Sequence, residues 1–258
     1  MQQRLPEFLG IGTQKGGTTT LQRLLEQHPQ VYLPPSKELH YFSLHYGKGE
    51  AWYRQQFADA RADQRCGEIT PYYLFHPEAP QRIKALLPDA TLLVLLRDPV
   101  ERVLSQVFHS QRLGLEPLPL EQALAAEPER LRGADAVLLA PDGRHRSHQE
   151  HSYLARSRYE LQLQRFEACF AADQIILRRS EDLFERPEQV WFDLLHHLGL
   201  KQIPLPEKGR RAHVGSRGGD DLDKERMAEL RDKLAIQLQP TYQYFEQHHG
   251  LSWPRTGQ

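Results

Sequence analysis

The stretch FLGIGTQKGGTTTL, residues 8–21, decides the fold. Its first five residues are apolar or glycine, as in a strand buried inside a parallel sheet, and the threonines begin a helix. In the connecting loop, glycines allow positive φ angles and close approach of the backbone to a ligand: Gly12, Gly16 and Gly17. The helix N-terminus directs free N–H groups and its positive dipole end at the same loop. The stretch therefore predicts a phosphate-binding turn, to which Lys15 adds a charge. A strand-to-helix turn that contains glycines for other reasons is the alternative.

Composition is that of an ordinary globular protein with nearly balanced charge. The 258 residues include 33 Lys and Arg against 34 Asp and Glu, which gives a net charge of −1. Such a chain has no overall attraction to nucleic acid or membranes, so an anion site must be built locally. No repeat or linker interrupts the sequence. We therefore expect a single domain over 1–258. The oligomeric state does not follow from the sequence.

The two cysteines and the first residues predict a cytoplasmic protein. Cys66 and Cys169 lack the spacing of a metal site, so we expect reduced thiols in a reducing compartment. The N-terminal residues contain no apolar signal core, and no stretch is long enough to span a membrane. Histidines cluster in a basic segment at 144–151 without a carboxylate arrangement typical of a metal site, and we expect no metal.

Strand-like and helix-like segments alternate through most of the chain. The runs TLLVLL at 91–96 and QIILR at 174–178 are apolar enough to be buried strands, and amphipathic segments separate them. This alternation predicts an α/β fold with a central, mainly parallel sheet flanked by helices. From 114 to 149 the pattern weakens, so we expect a long loop with a short helix at 120–126. One helix is expected over 153–170, and a single helix is expected at 222–248.

Further candidate anion-binding residues follow the predicted strands, where ligands of such sheets bind. Arg97 follows TLLVLL directly, and Ser105 lies eight residues later, so both can face one ligand. A salt bridge of Arg97 with Asp98 or Glu101 is the alternative. A third basic element comprises Lys208, Gly209 and Arg210, for which a solvated loop is the alternative.

The opening loop departs from the phosphate loop of ATP- and GTP-hydrolysing enzymes. That pattern places lysine after a glycine, four residues and a second glycine. Counted from Gly12, the lysine position holds Thr18, and the lysine comes earlier, at Lys15. No clear magnesium-holding aspartate follows a strand. A metal-dependent nucleotide hydrolase is therefore disfavoured.

Five motifs, in order, resemble those of sulfotransferases that use 3′-phosphoadenylyl sulfate (PAPS). KGGTTTL at 15–21 resembles the family's 5′-phosphosulfate loop, and RDPVERVLS at 97–105 resembles its 3′-phosphate motif. ELHYF at 38–42 and EITPYY at 68–73 resemble the heparan sulfate branch, especially the glucosaminyl 3-O-sulfotransferases and, more loosely, the N-sulfotransferases. KGR at 208–210 resembles its late nucleotide loop. The resemblance implies a P-loop-like sandwich and transfer of a sulfuryl group from PAPS to a hydroxyl or amine, without an obligatory metal.

The resemblance also implies a donor-binding role for named residues. Lys15 would neutralise charge on the leaving phosphate. The 5′-phosphate would be held by backbone N–H groups of Gly16, Gly17, Thr18, Thr19 and Thr20. Arg97 and Ser105 would hold the 3′-phosphate, over which Lys208, Gly209 and Arg210 would close. Ser157 and Tyr159 stand where family members contact the nucleotide.

Glu38 and His40 are the expected catalytic residues on the acceptor side. The resemblance implies that Glu38 is the general base and that His40 assists it or orients the acceptor. An acceptor hydroxyl must lose a proton as it attacks, and a carboxylate within hydrogen-bond reach can take that proton. Without the resemblance, Glu38 would be a solvated partner of Lys37, and His40 would be a packed histidine.

Departures from the family pattern bear on the acceptor. Ile69 stands where related enzymes often carry lysine, Thr19 where the 3-O-enzymes carry arginine, and Ser43 where they carry aspartate. We therefore expect a bacterial-type enzyme that acts on a smaller glycan, a lipid or a carrier-bound metabolite. Residues proposed to line the acceptor cleft, a solvated loop being the alternative, are Arg144, His145, Arg146, His148 and His151.

Two other functions stay open from the sequence. A small-molecule kinase that uses ATP and magnesium would share a glycine-bearing loop, but the early lysine and the Arg97–Ser105 pair disfavour it. An inactive relative would bind nucleotide or glycan without chemistry, but Glu38 and Lys15 disfavour that reading.

Overall fold

A parallel sheet forms the centre of the molecule. The computed structural model describes residues 4–206 and 224–254. Within those ranges the strands pair in the order β2-β3-β1-β4-β5, and every pairing is parallel. The strands are β1 Phe8–Gly12, β2 Val31–Tyr32, β3 Arg65–Ile69, β4 Thr91–Leu96 and β5 Ile175–Arg179. This sheet confirms the predicted α/β class.

Strand β1 lies between β3 and β4. Its five residues are all buried, and Phe8 pairs with Gly67 of β3 and Thr91 of β4. Position 67 has no room for a side chain, because a Cβ there would come within 2.1 Å of the Phe8 ring. Since the strands are parallel, their carboxyl ends share one edge of the sheet, and the loops that follow β1, β3 and β4 lie there together.

Helices flank the sheet and connect its strands. Short 3₁₀ turns lie at Tyr46–Lys48, Ala155–Ser157 and Ala172–Gln174. The α-helices of the described ranges are α1 Thr18–Leu25, α2 Gly49–Gln55, α3 Ala79–Leu86, α4 Pro99–Arg112, α5 Leu120–Arg130, α6 Ala134–Leu138, α7 Arg146–Glu150, α8 Tyr159–Glu167, α9 Ser180–Glu185, α10 Pro187–His197, α11 Lys224–Gln237 and α12 Gln239–His249.

Side-chain alternation along β4 divides the core into two layers. Leu92, Val94 and Leu96 pack in a cluster that includes residues of α3 and α8. Leu93 and Leu95 face the other way and pack with α1 and α10. Successive strand residues point to opposite faces, so an apolar run such as TLLVLL needs cover on both sides. The two layers give the sandwich predicted from the sequence.

The expected long loop at 114–149 is wrong. That region holds α5, α6 and most of α7, and α5 continues to Arg130 rather than ending at 126. The buried anchors of α5 and α6 include Leu120, Ala123, Ala134 and Leu138, two small residues among them. Helices with so few buried apolar residues show little helical periodicity in the sequence. Tertiary packing stabilises them, and this packing cannot be read from the sequence pattern.

Two other helix predictions need correction. The single helix expected at 222–248 is divided into α11 and α12 on either side of Leu238, and residues 222–223 lie outside the described ranges. Pro240 lies in the first turn of α12, where its missing N–H is tolerated, and its ring prevents continuation of the preceding helix. The helix expected over 153–170 is α8, which begins only at Tyr159.

The cysteine prediction is confirmed, since Cys66 and Cys169 are both free thiols. Burial raises the pKa of the Cys66 thiol to about 11, so this thiol is protonated at neutral pH. Across residues 4–206 and 224–254, no helix combines the length and the apolar character needed to cross a bilayer.

Candidate active site

The loop between β1 and α1 is folded tightly onto the sheet edge. The Thr13 N–H donates to the Leu95 carbonyl at 2.8 Å, and the Ser180 hydroxyl donates to the Gly16 carbonyl at 2.9 Å. A Cβ at Gly16 would come within 2.6 Å of the Leu95 carbonyl oxygen, so that position requires glycine. Gly17, the N-cap residue of α1, has a φ of 88°, and no side chain of the described residues caps the helix. Its first N–H groups therefore face the loop without a side-chain partner.

Positive charges surround Lys15. Burial, and then the charges of Arg112, Arg97 and Arg102, lower the pKa of the Lys15 ammonium. Lys15 itself has a φ of 69°, which is uncommon for a residue with a side chain. Cations gathered in this way repel each other, and an anion bound among them relieves that repulsion. The arrangement fits the anion site predicted from the sequence.

Arg97 forms no salt bridge with Asp98 or Glu101, which was the alternative to a ligand-binding role. Asp98 caps α4, accepting from the Glu101 N–H at 2.9 Å, and also accepts from the Tyr242 hydroxyl at 2.9 Å. Glu101 pairs instead with Arg231 at 2.8 Å. Among the described residues, nothing pairs with the Arg97 guanidinium or with the Ser105 hydroxyl. Both stay available to a ligand.

Ser157 and Tyr159 support the Arg97 loop from below. Both side chains are fully buried. The Ser157 hydroxyl donates to the Pro99 carbonyl at 3.0 Å and accepts from Nε of Arg102, while the Tyr159 hydroxyl donates to the Arg97 carbonyl at 3.1 Å. In this conformation the two hydroxyls hold the backbone that carries Arg97. A direct contact with nucleotide stays a prediction.

Glu38 and His40 form a pair on the loop before α2. Nε2 of His40 lies 3.6 Å from Oε2 of Glu38, and Nδ1 of His40 lies 3.2 Å from the Ser43 hydroxyl. Nζ of Lys37 lies 3.3 Å from Oε1 of Glu38. Burial raises the pKa of the Glu38 carboxyl, but the His40 hydrogen bond and the Lys37 charge outweigh it, so the pKa is lowered. The carboxylate is thus charged at neutral pH and able to accept a proton.

The backbone around this pair is held by β3. Glu38 and His40 both have positive φ angles, 59° and 53°. The His40 N–H donates to the Thr70 hydroxyl at 3.4 Å, and that hydroxyl donates to buried Glu68 at 3.1 Å. Burial raises the pKa of the Glu68 carboxyl to about 7. Strained backbone of this kind persists where the surroundings fix it, and it is often found at functional sites.

Both halves of the site border one cleft of about 180 Å³. Gln14, which precedes Lys15, lies on its wall together with Glu38 and His40. Lys37 also joins the halves, because its ammonium donates to the Thr19 hydroxyl at 2.7 Å. The remaining wall is formed by Leu44, Pro71, Tyr72, Gln149 and Arg156. Gln14 thus brings the loop that carries Lys15 to the same cavity as the carboxylate–imidazole pair.

The comparison with protein families identifies the fold. The sulfotransferase domain model matches residues 5–210. The chain belongs to the sulfotransferase family. This sulfotransferase-family chain is 42% identical over 109 residues to the membrane-associated sulfotransferase kil1 of Dictyostelium discoideum, covering 41% of the chain and 23% of that protein. It is 41% identical over 125 residues to human heparan sulfate glucosamine 3-O-sulfotransferase 6, covering 48% of the chain and 36% of that protein. The chain spans well under half the length of these curated relatives.

Solved structures support the same assignment. A sulfotransferase from Alicyclobacillus acidocaldarius superposes with a TM-score of 0.78 at 27% identity, covering 97% of this chain and 98% of that one. The sulfotransferase domain of the Synechococcus PCC 7002 olefin synthase has a TM-score of 0.54 at 17% identity, covering 93% and 95%, and shows the fold alone. The resemblance read from the motifs is therefore confirmed at the level of family and fold.

Some of the predicted site residues lie elsewhere. Lys208, Gly209 and Arg210 fall outside the described residues. In the basic segment, Arg144 donates to the Leu44 carbonyl at 3.2 Å and Arg146 pairs with Glu150 at 2.7 Å. His148 is buried against Phe75, and burial lowers its pKa to about 2. None of the five proposed residues is on the wall of the 180 Å³ cleft, which Gln149 forms instead. Within residues 4–206 and 224–254, no metal-binding group of three or more His, Cys, Asp or Glu side chains is present.

Gln149 and Arg156 of this sulfotransferase-family chain were missed by sequence reasoning. Gln149 lies near the end of the polar segment 144–151, and Arg156 lies in the stretch YLARSR at 153–158. Neither residue belongs to a motif or a spacing that indicates a functional site. The sequence carried no signal for either residue, because the helix break before Tyr159 that brings Arg156 to the cleft is seen only in the structure.

Proposed function

We propose that this chain is a PAPS-dependent sulfotransferase that moves a sulfuryl group to an acceptor hydroxyl or amine. The observation that carries the proposal is the shared cleft, whose wall contains Gln14, the neighbour of Lys15, together with Glu38 and His40. Family membership supports the transferase class, and the family implies PAPS as the donor. The free Arg97 guanidinium and the cation group around Lys15 fit a donor with two separated phosphates.

The chain's own residues would divide the work between donor and acceptor. Lys15 would neutralise charge that develops on the leaving phosphate, which is the larger part of what such sites supply. The first turn of α1 would hold the 5′-phosphate, and Arg97 with Ser105 would hold the 3′-phosphate. Fixing the donor at two places aligns it for attack along one line. PAPS, when bound, supplies the sulfuryl group.

Glu38 would act as general base on the acceptor. Its carboxylate is charged at neutral pH, half-exposed at the cleft, and accompanied by the His40 imidazole. His40, held by Ser43 and Thr70, would orient the carboxylate or the acceptor hydroxyl. This pair argues against an inactive relative, because a binding protein has no need for a carboxylate in backbone of positive φ.

For the acceptor, the proposal names a chemical class and no single compound. One relative named above is a heparan sulfate sulfotransferase, but this chain matches only part of that protein. This chain also has no cationic side chain at positions 19 and 69, which are Thr19 and Ile69. A smaller glycan, a lipid or a carrier-bound metabolite fits a cleft of about 180 Å³ better. A cytoplasmic location stays a prediction that rests on the two free thiols.

Calorimetry and an isotope assay test the proposal. Adenosine 3′,5′-bisphosphate (PAP), the product of the donor, should bind more tightly than ATP with magnesium. Labelled sulfate should then pass from PAPS to members of a library of glycans, lipids and carrier-bound hydroxyl compounds. Preference for ATP with magnesium would instead indicate a kinase. Binding of PAP without transfer to any acceptor would indicate an inactive relative.

A further inference from the structure

Arg156 is a buried cation without a counter-charge. Its side chain is only 2% exposed and lies on the wall of the cleft that contains Glu38. Nη2 donates to the carbonyls of His148 at 2.7 Å and Gln149 at 3.0 Å, and Nη1 donates to Oε1 of Gln14. All three partners are neutral oxygens. No carboxylate of the described residues forms an ion pair with Arg156.

Donor capacity at Arg156 is left over. A guanidinium carries five N–H groups, and three are used by the contacts above. Nε is buried with no hydrogen-bond partner among the described residues. The faces of the guanidinium are covered by the rings of Tyr72 and Phe75, whose centroids lie 5.3 Å and 4.9 Å away. The side chain is therefore fixed in place, and its unused N–H groups lie in the guanidinium plane.

The charge persists despite burial. Burial lowers the pKa of Arg156 to about 10, so the guanidinium remains protonated at neutral pH. A buried charge without an ion-pair partner is costly, and an opposite charge in the cleft would offset that cost. The carboxylates of Glu127 and Glu38 act on Arg156 only through space. A negative group on a ligand would supply the ion-pair partner.

Gln149, which also forms part of the cleft wall, contributes a second unpaired donor. Its carboxamide nitrogen is buried without a hydrogen-bond partner among the described residues, and its backbone carbonyl accepts a hydrogen bond from Arg156. Both unpaired atoms of these two residues are donors. A group seated against them must accept hydrogen bonds, and charged oxygens accept most strongly.

We propose that Arg156 and Gln149 form a subsite for an oxyanion of the acceptor. The acceptor then carries a carboxylate, a sulfate or a phosphate in addition to the hydroxyl or amine that is modified. Arg156 selects the acceptor by charge, while Glu38 and His40 receive its reacting group. This inference rests on the proposed function, because it takes the cleft to be the acceptor site.

Four related probes separate charge from shape. Methyl β-glucoside, methyl β-glucuronoside, and the 6-sulfate and 6-phosphate of methyl β-glucoside differ only at carbon 6. Their affinities are measured by calorimetry on protein saturated with PAP, so that the donor's phosphate sites are filled. The wild type should bind at least one charged probe about tenfold or more tighter than the neutral glucoside, as charge-assisted hydrogen bonds to a buried group provide. The best of the three identifies the oxyanion.

Three variants assign the preference to Arg156. Arg156→Gln should reduce the charged and neutral probes to equal affinity. Gln149→Glu should do the same with the arginine retained, because the new carboxylate neutralises it, so the result does not depend on one variant. Arg158→Gln is the matched control, since Arg158 is exposed two residues away, and it should keep the wild-type preference. All variants should keep their affinity for PAP.

The outcomes distinguish this inference from the proposed function. If the wild type does not bind PAP, the proposed function fails. If PAP binds but no charged probe is preferred, or if Arg156→Gln keeps the preference, the inference is wrong, and the proposed function is then decided by the transfer assay with PAPS. Steady-state rates with PAPS give a second readout: Arg156→Gln should raise KM for a charged acceptor and leave kcat unchanged. An equal fall of kcat for all acceptors would show that Arg156 serves the transferred group instead.

Discussion

The proposed donor site and the proposed acceptor site are built in different ways. The proposed donor site draws on two short segments, 13–20 and 97–105, which each follow a strand and contain the cations Lys15 and Arg97. The proposed acceptor site combines side chains from separate parts of the chain, among them Glu38, Tyr72 and Arg156, of which Arg156 is both buried and charged. On this proposal, donor recognition is local in sequence, whereas acceptor recognition depends on how distant segments pack. Substitutions at the two sites should therefore have distinct effects on the catalytic rate, the free energy of unfolding and the affinity for the donor.

Glu38→Gln should have the largest effect and should spare the donor side. Loss of a general base is expected to lower kcat by about 10²–10⁴-fold, with unchanged PAP affinity by calorimetry. The wild-type rate should decline on acidification as pH falls through the lowered pKa of Glu38, because protonation removes the base. Glu246→Gln, at an exposed position, is the control. Full activity of Glu38→Gln would exclude Glu38 as the base.

Glu68 should give the protein a pH-dependent stability that originates beneath the acceptor side. Burial raises the pKa of Glu68 to about 7, so the folded state binds this proton more tightly than the unfolded state. The free energy of unfolding should therefore fall by roughly 3 kcal/mol as pH rises from about 4.5 to about 7. Glu68→Gln should remove that decline, as measured by urea unfolding at pH 5 and pH 8.

The contribution of a second buried group, His148, must be distinguished from that of Glu68 in the unfolding measurement. Burial lowers the pKa of His148 to about 2, so the unfolded state binds this proton more tightly and stability falls on acidification below the ordinary histidine pKa. Comparing Glu68→Gln with the wild type at each pH cancels the His148 contribution. The same pH dependence in both proteins would contradict the assignment to Glu68.

Arg97→Gln should weaken the donor side alone, with the smallest of the three effects. Loss of a charge-assisted hydrogen bond should reduce PAP affinity by about 10- to 100-fold, and Ser105→Ala by less. Calorimetry measures both, and Arg158→Gln controls for the lost charge. Unfolding free energy should change little, because nothing among the described residues pairs with the Arg97 side chain. Wild-type PAP affinity in Arg97→Gln would remove Arg97 from the donor site.

The same difference explains what could be predicted from the sequence. Strands β1 and β4 were predicted correctly because each is a continuous apolar run bounded by glycine, proline or charge. Lys15, Arg97, Glu38 and His40 were found because their motifs are contiguous, although their roles stay proposals. Between 120 and 150 only the first part of α5 was predicted, and the other helical segments were missed, because small residues such as Ala123 and Ala134 give little periodicity.

The cleft wall was hidden from the sequence for a related reason. Arg156 reaches the cleft only because the chain turns before α8 and because Tyr72 and Phe75 of another segment cover its guanidinium. Its burial and its lack of a carboxylate partner are properties of the packed molecule. A lone arginine in a basic segment gives no sign of either.

The contact between Ser157 and Arg102 has a consequence for how this site tolerates change over evolution. Arg102 is fully buried and donates to the Ser157 hydroxyl and the Tyr153 carbonyl, while Ser157 also fixes the Pro99 carbonyl. A substitution at either residue therefore changes the hydrogen-bond partners of the other, and with them the side chains that are tolerated at that other position. The two positions should show epistasis, so that a replacement harmful alone becomes acceptable once its partner has changed. A position that looks like a ligand contact in one lineage can thus drift together with a scaffold residue in another.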